Sequence, residues 1–128
     1  MTDTDPAADR RWPRSVYGVG DEPDPRFSLA NERTFLAWIR TSLGFLAAGA
    51  GVSAAAHIVG RVGVELKLVS LLLLVCGLVA ASGSFVRWMR SERAMRVGTP
   101  MPSSPVMPFL TGALAAVALV AIVVVGVL

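Results

Sequence analysis

A single cysteine, Cys76, and a single histidine, His57, are all that 128 residues offer of the side chains most used for metal binding, redox work and proton transfer. One thiol inside an apolar run can close neither an internal disulfide nor a zinc site, so Cys76 reads as a small packing residue. His57, near the outer end of the first apolar run, reads as a hydrogen-bonded packing residue rather than a proton relay or ligand. No Ser–His–Asp set, paired carboxylates, nucleotide loop or metal-ligand cluster can be assembled. Catalysis, a cofactor and a metal are therefore not expected. A cleavable leader is not expected either. The first 27 residues have no apolar core and carry Asp3, Asp5, Asp9, Asp21, Glu22 and Asp24 among prolines and arginines.

Charge is scarce, at 16% of residues against 54% hydrophobic, and it is absent from three long windows. Residues 41–60, 68–86 and 109–128 carry no formal charge. A bilayer core of about 30 Å takes roughly 20 residues of helix, at about 1.5 Å each. Three such windows predict an all-α integral membrane protein with three transmembrane helices. The basic residues are placed unevenly. Arg10, Arg11, Arg14, Arg26, Arg33 and Arg40 precede the first span, and Arg87, Arg90, Arg93 and Arg96 follow the second. The connection between spans one and two has Arg61 and Lys67 against Glu65, and nothing basic follows Arg96. The excess of arginine then predicts a cytoplasmic N-terminus, a C-terminus outside, and an inner-membrane location.

Residues 1–25 are rich in Pro, Asp and Gly without periodicity and are expected to form a mostly disordered cytoplasmic tail, its aromatics Trp12 and Tyr17 solvated. Residues 26–128 form the membrane domain. Ser28 is the expected N-cap of the first helix, with Glu32 near the positive end of its dipole. Gly98 and Pro100, Pro102, Pro105 and Pro108 turn the second connection into an irregular linker.

On a helical wheel at about 100° per residue, Arg26, Ala30, Arg33, Ala37, Arg40, Gly44, Ala48, Gly51 and Ala55 fall within about 80° of arc. Phe35, Ile39 and Leu46 lie opposite. One face is thus basic below and nearly side-chain-free above. Two readings compete for it. The small residues could form a packing seam, with the arginines snorkelling to lipid headgroups. Alternatively, several copies of the helix surround an axis, and stacked rings of arginine at the cytoplasmic mouth select anions below a narrow neck. Arg40, one turn inside the interface marker Trp38, favours the second reading, because a lone arginine in hydrocarbon costs about 2.5–3.5 kcal/mol. Two further small seams, Gly77–Ala81–Ser84 and Gly112–Ala116, are expected in spans two and three. The membrane surface is the default partner of the arginines, and specific nucleic-acid binding is not expected.

The run "DPRFSLANERTFLAWIRTSLGFLAAGAGV", with its "ANERTFL-W" core, resembles the bacterial YidH-like membrane family (domain-of-unknown-function family 202). That family is similar to the transmembrane domain of the vacuolar transporter chaperone complex, which makes polyphosphate and moves it across a membrane. The resemblance covers about residues 24–128 and implies a homo-oligomer, a ring of five subunits in the vacuolar complex, with basic residues along a polyphosphate path. By motif position it assigns anion contact to Arg26 and Arg33, and more loosely to Arg90, while Asn31 and Glu32 also fall on the motif. Two departures stand out. No cytosolic polymerase or phosphate-sensing domain is expected in these residues, so synthesis of polyphosphate is not implied, and Arg40 is basic where the vacuolar proteins generally are not.

The expectation that results is an oligomeric anion channel or binding pore for phosphate or polyphosphate. Arg26, Arg33, Arg40 and Arg90 would form its funnel, and Gly44, Ala48, Gly51 and Ala55 its neck. The alternative is a non-catalytic anchor or assembly subunit of an envelope complex.

Overall fold

The structure, a computed structural model, describes residues 9–61 and 63–127. Its elements are a short α1 (Arg14–Tyr17), two long helices α2 (Pro25–Val59) and α3 (Val64–Val97), and α4 (Val106–Val127). The last three are long and apolar enough to cross a membrane. Each predicted span lies inside one of them apart from Gly60, and Leu128 lies outside the described residues.

Both long helices outrun the hydrocarbon. At about 1.5 Å per residue, the 35 residues of α2 reach about 52 Å. If its charge-free part occupies the bilayer, the first sixteen residues stand about 24 Å outside it. The last turns of α3 run beside them. The arginines that follow one another so closely into the apolar run therefore belong to a two-helix stalk, and no turn is needed to keep them out of lipid.

The start of α2 corrects one expectation. Its N-cap is Asp24, not Ser28: the Asp24 carboxylate accepts from the Arg26 N–H at 2.9 Å, and Pro25 occupies the first helical position, where a missing N–H costs nothing. Ser28 lies a turn inside. The other ends are closed by glycine. Gly60 and Gly98 take left-handed φ of 69° and 73°. The N–H groups of Arg61 and Thr99 then reach back to the Ala56 and Ala94 carbonyls at 3.1 and 3.0 Å, the Schellman arrangement.

α2 and α3 form an antiparallel hairpin through a seven-residue repeat. Ser42, Gly49 and Ala56 are buried on α2, facing Ser70, Gly77, Ser84 and Ser91 on α3. A repeat of seven residues is the spacing of helices that keep one seam in contact along their length. The seam is reciprocally bonded: the Ser42 hydroxyl donates to the Gly77 carbonyl at 2.6 Å, and the Ser70 hydroxyl to the Gly49 carbonyl at 2.7 Å. Of the expected Gly77–Ala81–Ser84 seam, Gly77 and Ser84 are buried here and Ala81 is half-buried beside them.

The third helix is held more lightly. Leu110 is its only buried residue among those described, and with the fully buried Cys76 and Ala80 it makes a small apolar cluster under Trp38 and Phe45. Gly112 and Ala116, expected as a seam, are exposed. His57 is exposed too, its Nδ1 2.7 Å from the Ser53 carbonyl one turn back.

Candidate functional site

The stalk is built around one buried acid. Glu92 is 4% exposed, and its carboxylate accepts from the Ser28 hydroxyl at 2.8 Å and the Asn31 amide at 3.2 Å. The same amide donates to the Trp88 carbonyl at 3.1 Å. Ser28 and Asn31 are three apart, and Trp88 and Glu92 four apart, so each pair shares one helix face. Neutral donors compensate the lost hydration of the carboxylate, which otherwise would be expensive to bury.

Residues 9–24, expected as part of an unstructured tail, instead form a strap across the end of α3. Residues 1–8 lie outside the described residues. Val16 is 1% exposed, and of the aromatics expected to be solvated Tyr17 is half-buried while Trp12 stays exposed and stacks through one ring face. Trp12 stacks on Phe85 with ring centres 5.9 Å apart, Phe85 stacks on Trp88 at 5.8 Å, and Tyr17 tilts onto Trp88 at 6.3 Å. Arg96, 7% exposed, is the strap's anchor. It donates to the carbonyls of Val19 and Tyr17 at 3.1 and 3.3 Å and pairs with Glu22 at 3.3 Å. Its own carbonyl accepts from the Asp21 N–H at 2.9 Å. Gly20 stands against that carbonyl at φ 62°, where any Cβ would collide with it. Arg93 donates to the Ser15 carbonyl at 2.8 Å.

Glu22 gives the strap an expected pH dependence. The Arg11 guanidinium bonded to Glu22 holds its carboxyl below the usual glutamate range, with burial opposing. A lowered folded-state value stabilises above the unfolded value of about 4.3 and stops doing so as pH falls through the folded value. The strap should therefore stay docked from neutral pH down to about 5 and loosen in stronger acid. The Trp12 indole signal followed by NMR through an acid titration checks this. A signal as invariant in Glu22→Gln as in the parent would refute it.

The residues singled out from the sequence divide into two places. Arg26, Arg33 and Arg40 share one exposed face of α2, on the side away from the seam with α3. Arg26 is paired with Asp24 at 3.0 Å. Arg33 and Arg40 have no carboxylate partner among the described residues. Gly44, Ala48, Gly51 and Ala55 continue the same exposed face, and a Cβ added at Gly44 or Gly51 would meet nothing within 4 Å. Arg90 is not on that face. It lines a cleft between α3 and the start of α4, together with Arg87.

The domain family described as Domain of unknown function (DUF202) matches residues 26–94, which is the α2–α3 hairpin and nearly all of the stalk. The chain belongs to the DUF202 family. It is 49% identical over 87 residues to the "Inner membrane protein YidH" of Escherichia coli (strain K12), covering 68% of this chain and 75% of that protein. It is 38% identical over 101 residues to "Uncharacterized protein Rv2272" of Mycobacterium tuberculosis (strain ATCC 25618 / H37Rv), covering 79% and 82%. No solved structure matches. With three helices able to span, this DUF202 chain is a small multi-pass inner-membrane protein.

The DUF202 match begins and ends on the stalk, and there the buried clamp was missed from sequence. Glu92 sits in "RWMRSERAMR", where an isolated acid among arginines reads as solvated. The usable signal was the repeat itself: Ser91, Ser84, Gly77 and Ser70 recur every seven residues and put Glu92 one step from the seam.

Proposed function

We propose that copies of this chain assemble around the outward face of α2 and form a pore that binds or passes an anion, with phosphate and polyphosphate as the leading class. One observation carries the reading. The nine residues of the basic and small stripe are all exposed, while Gly49, the glycine through which α2 packs on α3, lies on the opposite side of the helix. The stripe is thus unused by the hairpin. Arg33 and Arg40, two turns apart and without carboxylate partners among the described residues, would give stacked positive rings that concentrate anions. Gly44, Ala48 and Gly51 would let neighbouring helices close to a narrow neck above them. Arg26 is partly neutralised by Asp24 and contributes less. Arg90 is left out of this funnel.

The test is the reversal potential of the purified oligomer in a planar bilayer under a salt gradient, with and without short-chain polyphosphate. An anion-selective current is expected, blocked or carried by polyphosphate, and an Arg33→Ala/Arg40→Ala variant should lose the selectivity while keeping its oligomeric state. A silent bilayer from well-folded oligomer would overturn the pore and leave the stripe as the docking face of an anchor or assembly subunit.

A further inference from the structure

The cleft between α3 and α4 has a different character from the α2 stripe. Its volume is about 480 Å³. At one end stand Arg87, Arg90, Ser103 and Ser104, and at the other the apolar flank of α3 with Leu78 and Val79. No carboxylate lines it among the described residues. Arg87 is half-buried, and its Nη1 is fully buried without a hydrogen-bond partner among the described residues. A buried guanidinium nitrogen with nothing to donate to is uncommon in a folded protein, and Arg87 borders both this cleft and the groove beside Asn31 and Ser91.

We infer that this cleft is a binding site for an anionic phospholipid, its phosphate held by Arg87 and Arg90 and an acyl chain lying along Leu78 and Val79. The arrangement matches the molecule end for end. A guanidinium binds a phosphate through paired, charge-assisted hydrogen bonds, and the two serine hydroxyls offer further donors. The start of α4, two residues beyond Ser104, adds the positive end of a 22-residue helix. From Arg90 to Leu78 is about 18 Å along α3, the distance from the headgroup level into the hydrocarbon. A soluble phosphate would use only the polar end and leave the apolar flank bare. A zwitterionic headgroup would bring its ammonium group against two arginines. Basic pockets between membrane helices hold acidic headgroups for the same reasons. The inference stands apart from the pore, because it uses neither Arg33 nor Arg40 and does not require an oligomer.

Native mass spectrometry of the detergent-solubilised chain tests it. Phosphatidylglycerol and phosphatidylethanolamine are added in equal amounts, with tripolyphosphate as a soluble competitor. Phosphatidylglycerol should be retained preferentially, and Arg87→Gln/Arg90→Gln should cut that retention about tenfold. Arg33→Gln/Arg40→Gln, which removes the same charge from the other face, should keep it. Equal losses in both variants would show attraction to net charge alone and overturn the site. Displacement of the lipid by tripolyphosphate would overturn the lipid assignment in favour of a soluble phosphate ligand. Should the double variant fail to fold, the exposed Arg90→Gln alone must show a clear loss of retention, and unchanged retention there overturns the site as well.

Discussion

Leucine at Gly77 should separate α2 from α3 and cost the hairpin on the order of 1–3 kcal/mol, the usual range for overfilling a packed contact. A Cβ at this position would already sit 2.7 Å from the branch carbon of Leu46 and 3.2 Å from the Ser42 carbonyl. The Ser42 hydroxyl would also lose its approach to the Gly77 carbonyl, now 2.6 Å away. Gly49→Leu should behave alike, because its Cβ would press on the Leu74 side chain and on the Ser70 carbonyl at 3.0 Å. In lipid no hydrophobic force pulls helices together, so close backbone approach and interhelical hydrogen bonds carry the association. Gly51→Leu provides the contrast, since its Cβ meets nothing within 4 Å. That variant should leave the unfolding of the single chain unchanged and show its effect only in oligomeric state. Unfolding in mixed micelles with increasing SDS, followed by circular dichroism, separates the cases. Equal stability of the Gly77 and Gly51 variants would refute the assignment of the two faces.

The second large effect is expected at Glu92. Glu92→Leu leaves the Ser28 hydroxyl without its acceptor and removes one of two from the Asn31 amide, in a part-buried place water reaches poorly. The expected loss is about 1–3 kcal/mol, the cost of stranding buried polar groups. Glu92→Gln should fall between parent and leucine, because one of its two positions becomes a donor facing a donor. The triple change Ser28→Ala/Asn31→Leu/Glu92→Leu should recover part of the loss, since removing all the partners strands none. Amide hydrogen exchange at residues 28–32 and 88–92 reads this directly. A triple variant no more protected than Glu92→Leu would mean that the clamp acts through shape and not through its hydrogen bonds.

The features legible in the sequence are those fixed by the bilayer. Charge-free windows at 41–60, 68–86 and 109–128 had to be helices, because hydrocarbon satisfies no backbone group, and the helices contain all their described residues but Gly60. The stripe from Arg26 to Ala55 was also legible, since it needs only helical spacing. Which side of α2 meets α3 was harder to read. The heptad of Ser42, Gly49 and Ala56 competes on the same wheel with Gly44, Ala48 and Gly51, and size alone does not rank them. The partner settles it, because Ser70 and Gly77 repeat the first pattern and match it hydroxyl to carbonyl. The strap was illegible for a different reason. Its contacts to Arg93 and Arg96 span 74–79 residues, so no local pattern announces them. Its composition of Pro, Asp and Gly is that of a solvated segment until the aromatics Trp12 and Tyr17 find Phe85 and Trp88.

The same span sets a timetable for biogenesis. A ribosome adding about 5–20 residues per second needs roughly 4–15 s to travel from Val19 to Arg96. Through that interval the N-terminal segment waits with no anchor. When Arg96 emerges, the strap can close only if both segments face one compartment, so closure reports that exactly the first two spans have threaded as a hairpin. A nascent chain that inserts one of them incorrectly leaves Val16 and Tyr17 uncovered for quality-control proteases to find.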